Sequence, residues 1–175
     1  TEECGKKGVK GLIVISHGTA STELGFATLA QALARHGYLV ASVEHVGDTW
    51  QDASMRATPG RYFAERPRQV SRVIDTVLAD PLWSSRMGQG ADGRPLIGAI
   101  GHSAGGYTVL ALAGGKPVLS RLRAHCETEA AQDPVLCSLS RGIGSASAQA
   151  GGTADGQEEP VQADPRVHAV MALAP

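Results

Sequence analysis

Gly101-His102-Ser103-Ala104-Gly105 follows directly on the apolar run Leu96-Ile97-Gly98-Ala99-Ile100 and precedes a small-residue stretch from Tyr107 to Ala113. The order reads as strand, sharp turn and helix, with a serine at the apex, and that context turns a common short pattern into a nucleophile elbow. Such a turn forces its central residue into a strained backbone conformation. Glycine at 101 and 105 removes the side chains that would otherwise collide with the neighbouring chain. The Ser103 hydroxyl then stands clear of the sheet edge, and the Ala104 N–H points at whatever Ser103 attacks. Ser103 is the candidate nucleophile.

Upstream, Leu12-Ile13-Val14-Ile15 is a short continuous apolar run, as expected for a strand buried on both faces of a parallel sheet. It ends in Ser16-His17-Gly18-Thr19-Ala20, where a histidine–glycine pair lets the backbone turn sharply. The rest of the chain alternates strand and helix, which predicts an α/β class with a mostly parallel sheet flanked by helices. Strands are expected over 11–16, 39–44, 96–101 and 166–173. A helix over about 21–36 is capped by Ser21 or Thr22 and ended by Gly37. Residues 46–63 read as a long loop. A second helix starts near Pro67, carries Val70, Val73, Ile74, Val77 and Leu78 at helical spacing, and stops at Pro81. Pro117 to Cys126 reads as a further short helix.

Composition fits a soluble enzyme domain: 175 residues, 42% hydrophobic, with a net charge of −1. Near-neutral charge without a basic cluster argues against nucleic acid as a partner. No apolar run approaches the roughly 18 residues that a membrane span needs. A first residue other than methionine, with no signal-peptide pattern, predicts a processed or truncated product.

Ser16-His17-Gly18, Arg35-His36-Gly37-Tyr38, Leu39 to His45, Glu65-Arg66-Pro67-Arg68-Gln69-Val70, the serine elbow and Asp164-Pro165-Arg166 leading to Ala172-Leu173-Ala174-Pro175 together resemble the α/β-hydrolase superfamily. The closest resemblance is to its dienelactone-hydrolase-like and platelet-activating-factor-acetylhydrolase-like esterases. It covers nearly the whole chain apart from the first ten residues and about 141–163. True dienelactone hydrolases carry a cysteine nucleophile; the serine here favours ester hydrolysis. The resemblance implies that the Thr19 N–H supplies the second half of an oxyanion hole, with Ala104 the first. It also implies a triad in the order serine, acid, histidine.

Only His125 and His168 follow Ser103, and only His168 has acids such as Asp155 and Asp164 before it. His168 is expected near the start of its strand, nearly 20 Å from the carboxyl edge at a rise of about 3.3 Å per residue. His102 points elsewhere and His17 is committed to the oxyanion turn. Acid and base are therefore expected beyond Pro175. The chain then reads as one partial α/β-hydrolase domain over 1–175, with a second chain as one possible source of the remainder. An irregular, lid-like insertion spans about 115–163. Between Gly142 and Pro160 only Ile143 is a large aliphatic, too few to offset the entropy of ordering. Such an insertion either gates the site or simply extends the surface.

Cys126 and Cys137 bracket a short interval inside that insertion. A bridge there would stabilise it by roughly 2–3 kcal/mol and imply an oxidising compartment, periplasmic or secreted. The alternative is two free thiols in a cytoplasmic enzyme. A zinc site from His125, Cys126 and Cys137 fits poorly because adjacent ligands lack the usual spacing. Cys4 has no assigned partner, and no metal or organic cofactor is expected.

Ligands of open α/β sheets bind outside the carboxyl ends of the strands. That edge carries Thr19, the elbow and the loop with Trp50, Met55, Tyr62 and Phe63. Trp50 and Tyr62 are the candidate pocket walls, with a packing anchor as the other role for Trp50. Glu44 and His45 read as polar strand-end residues. The expected activity is that of a serine esterase acting through an acyl-enzyme on short-chain or acetyl esters, its partner a small-molecule ester. Two alternatives stand beside it: a non-catalytic binding protein of the same fold, and an amidase or peptidase.

Overall fold

The apolar runs at β1 (Leu12–Ser16), β2 (Leu39–Val43), β3 (Ile97–His102) and β4 (Ala169–Leu173) pair as one sheet in a computed structural model that describes residues 8–57, 59–134, 136–138 and 163–174. Every pairing is parallel and the order is β2-β1-β3-β4. The chain runs from β1 outward to β2, then crosses back over β1 to reach β3. The carboxyl ends of β1 and β3 therefore lie side by side where the winding reverses, the place at which open α/β sheets form their crevice. In register, Ser16 stands opposite Gly101 and Ser103 follows one residue after β3.

Helices supply the crossovers, as parallel strands require. α1 (Ala27–Arg35) packs on β2; α2 (Pro59–Ala79) and α4 (Ala104–Leu112) pack against each other. The core lies under these last two. Leu12, Val14, Ile97 and Ala99 of the sheet meet Val70 and Ile74 of α2 and Val109 and Leu112 of α4. β4 contributes Val170 and Ala172 to that side, while Met171 and Leu173 on its other face remain exposed.

Three helices depart from the sequence expectation. The segment before α1 is a turn of 3-10 helix, Glu23–Phe26, with the Thr22 hydroxyl accepting from Leu24 N–H at 3.1 Å. The α-helix then begins at Ala27, because Phe26 holds a non-helical backbone. α2 begins at Pro59 rather than near Pro67, so Tyr62 and Phe63 are helical, not loop, residues. Pro67 sits inside α2 and has no N–H to offer the carbonyl one turn back. That carbonyl belongs to Phe63, and the Tyr107 hydroxyl donates to it at 3.0 Å. The proline thus leaves a free acceptor that ties α2 to α4. After α2, α3 (Pro81–Ser84) forms a single turn capped by Asp80, where Pro81 was expected only to stop a helix.

α5 (Leu119–Thr128) occupies the position of the expected short helix. Of the insertion at about 115–163, residues 139–162 lie outside the described residues, as do Cys4, Asp155 and Pro175. Cys126 and Cys137 form a disulfide that fastens the end of α5 to the segment after it. Among the described residues no helix is long and apolar enough to cross a membrane.

Candidate active site

Ser103 occupies the turn between β3 and α4 with φ 53° and ψ −121°. Left-handed φ is costly for a residue with a Cβ, and such strain persists only where the surroundings enforce it. Here they do. The Ser103 N–H donates to Leu173 O at 2.8 Å, and Tyr107 N–H donates to Ser103 O at 3.1 Å. A Cβ at Gly101 would overlap the Gly105 carbonyl, and one at Gly105 would overlap the Ser16 carbonyl. Only glycine lets α4 approach the sheet this closely. Ser103 is half-buried, and among the described residues its hydroxyl makes no hydrogen bond. It stands at the amino end of α4, whose first N–H groups, that of Ala104 included, have no intrahelical acceptor and favour negative charge.

The loop after β1 passes directly against this turn. A Cβ at Gly18 would lie 3.3 Å from Ser103 Cβ and 3.3 Å from His102 Nδ1. Thr19 follows, and among the described residues its backbone N–H has no partner. Its hydroxyl meets the Tyr62 hydroxyl at 2.8 Å. Ala20 turns the chain away with φ 57° and donates its N–H to Asp48 Oδ1 at 3.2 Å. The structure therefore brings Ser103, Ala104, Gly18 and Thr19 together.

Behind the loop lies a buried polar cluster. His17 Nε2 accepts from His45 N–H at 3.2 Å, which leaves Nδ1 protonated and donating to Gly18 O at 2.7 Å. His45 Nδ1 donates to Gln69 Oε1 at 2.8 Å, so its Nε2 accepts from the Ser16 hydroxyl at 2.7 Å. Burial pushes the pKa of His17 below its ordinary value and that of His45 well below it. Both rings are neutral scaffold. Arg66 and Asp48, each with a side chain wholly removed from solvent, form an ion pair. The same guanidinium donates to His17 O and to Thr108 Oγ1. Burial lifts the Tyr62 hydroxyl to about 12, so it stays protonated.

The chain has six histidines and none hydrogen-bonds Ser103. His17 and His45 are occupied as above. His36 contacts Ala32 O, and His125 contacts Asp133. His102 is exposed, its ring 5.7 Å from that of Phe26. His168 donates its backbone N–H to Ile97 O, at the start of β3, about 20 Å from the elbow at a strand rise of about 3.3 Å per residue. Asp164 is likewise distant. Its N–H donates to Leu112 O at the far end of α4, and its carboxylate, drawn down to about 2 by Arg166, braces β4 on α2 through Ser71.

Trp50, a candidate pocket wall, is 67% exposed on the loop after β2. Tyr62, the other, is 1% exposed and faces the core beneath Thr19 rather than open solvent. Asp48 and Thr108 were not anticipated from the sequence, and Arg66 and Gln69 entered only within a longer motif. The available signal was spacing: Arg66 stands four residues before Val70, on the apolar stripe of α2. With Cys126 and Cys137 bonded to each other, their sulfurs are not free thiolates for a metal. Among known proteins, no family model matches this chain and no curated protein matches it.

Proposed function

We propose that this chain supplies the nucleophile and oxyanion hole of a serine carboxylic-ester hydrolase of the α/β-hydrolase kind. The observation that carries the reading is a left-handed Ser103 with the Gly18–Thr19 loop packed closely against it, the Thr19 amide having no partner among the described residues. Ser103 Oγ attacks the ester carbonyl carbon and the carbonyl electrons move to oxygen. The N–H groups of Thr19 and Ala104 hold that oxyanion in place of water. Collapse expels the alcohol and leaves an acyl-enzyme, which water then hydrolyses.

Proton transfer in both steps needs a histidine and an acid; none of the six histidines hydrogen-bonds Ser103, which supports a base supplied from outside this sequence. The remainder of a hydrolase domain, continuous in the gene product or on a second chain, is the proposed source. Short-chain or acetyl esters remain the proposed substrates, and the disulfide supports export to an oxidising compartment.

The missing base favours one other reading, a binding protein of this fold that keeps the elbow without turnover. Ester hydrolysis by the intact gene product separates the two. Ser103→Ala is expected to lower turnover by about 10⁴-fold with the melting temperature unchanged. Equal turnover in the unchanged and alanine proteins removes the esterase reading.

A further inference from the structure

An oxyanion amide works only if it is fixed before the reaction, since a donor that must reorient spends its interaction energy on doing so. A loop carrying such a donor on a glycine hinge needs external restraint. The loop from His17 to Ala20 is held at three points, two on its backbone and one on the Thr19 side chain, all from outside β1. Arg66 Nη2 takes the His17 carbonyl. Tyr62, one helical turn before Arg66 on α2, takes the Thr19 hydroxyl at 2.8 Å. Asp48, fixed by its ion pair with Arg66, takes the Ala20 N–H at 3.2 Å. Arg66 also lies 5.6 Å from the Tyr62 ring centroid, so the two α2 side chains hold each other.

Burying an arginine–aspartate pair is expensive, and apolar residues of similar volume often stabilise a fold at least as well. Placing both charges at zero exposure beneath one short loop calls for a reason beyond stability. The fork geometry gives it. Nε reaches Thr108 of α4, Nη1 reaches Asp48, and Nη2 reaches the loop. One guanidinium therefore fixes the nucleophile helix and the oxyanion loop relative to each other. A lysine has no such planar fork.

We propose that Arg66 and Tyr62 are positioning residues for the oxyanion hole, setting the Thr19 N–H against the carbonyl that Ser103 attacks. The inference rests on the esterase reading for its catalytic consequence, but the restraint on the loop is measurable without it. Tyr62→Phe removes one hydroxyl and keeps the ring, and Arg66→Lys keeps charge but not the fork. In the intact gene product Tyr62→Phe is expected to lower kcat about tenfold, with KM within about twofold and the melting temperature unchanged. Arg66→Lys is expected to lower kcat by about 10²-fold and not to rescue. Hydrogen exchange of the peptide spanning 17–21 is expected to quicken in both, with β1 and β3 still protected. Should Arg66→Lys fail to fold, the Tyr62→Phe result alone decides. Unchanged exchange over 17–21 in Tyr62→Phe overturns the proposal, as does an equal loss of kcat and thermal stability. If the unchanged protein hydrolyses no ester yet exchange quickens, the esterase reading fails while the loop restraint holds.

Discussion

Thr19 has two parts with separable roles, a backbone N–H that has no partner among the described residues and a hydroxyl held by Tyr62. Thr19→Pro deletes the N–H and is expected to cost about 10²–10³ in turnover. Thr19→Ala deletes only the hydroxyl contact and is expected to match the roughly tenfold loss of Tyr62→Phe. The double variant should lose no more than either single one, because both remove the same bond. Rates for the four proteins on one ester check this, and additive losses would show that the hydroxyl does something other than meet Tyr62. The elbow was legible at this scale because glycine at 101 and 105 is a steric requirement written directly into the sequence. The partner of Thr19 was not, because Tyr62 reads as an aromatic in a Pro- and Gly-rich stretch until the helix through it is known.

At the level of elements, β1, β2 and α2 are cross-linked by the two neutral imidazoles. His17 accepts from the β2 end, and His45 spans from Ser16 to Gln69. Well above pH 6.5 both rings are neutral folded or unfolded and contribute no pH dependence, which sets in as the pH approaches the ordinary value of 6.5. Below it the unfolded chain takes up protons that the folded one resists, so stability falls as the pH drops. Each unit by which a pKa is lowered corresponds to about 1.4 kcal/mol. Denaturant midpoints are therefore expected to fall between pH 7 and 5. Asp164, drawn down to about 2, adds its own loss only below its ordinary 3.8. A midpoint unchanged across pH 7 to 5 would contradict the assigned neutrality. The first three strands were readable to within a residue at each end because their runs are almost wholly apolar, whereas β4 begins at Ala169, three residues later than expected. α2 was read short because Pro59, Gly60 and Pro67 mark a loop locally, while a hydroxyl from a distant helix satisfies the carbonyl that Pro67 leaves free.

Across the whole molecule, the site depends on bringing together segments far apart in sequence, and the winding order does this. β1 and β3 become neighbours only because the chain crosses back, which places Gly18 beside Ser103. The parallel sheet followed from alternating strands and helices, but the meeting of these two loops was expected only from the family resemblance. The buried Arg66–Asp48 pair followed from neither, because its partners come from α2 and the loop after β2 and only the finished fold joins them. The Cys126–Cys137 bridge ties the end of α5 to the segment after it. Intact mass under alkylating conditions should show that these two thiols react only after reduction; two freely alkylated thiols in protein from an oxidising compartment would contradict the bridge. The central claim is that Ser103 is the nucleophile, and covalent capture tests it most directly. The intact gene product, treated with a fluorophosphonate and mapped by peptide mass spectrometry, is expected to carry the adduct on Ser103 alone, with none in Ser103→Ala. An adduct on another residue, or none in a protein that hydrolyses esters, would contradict the account.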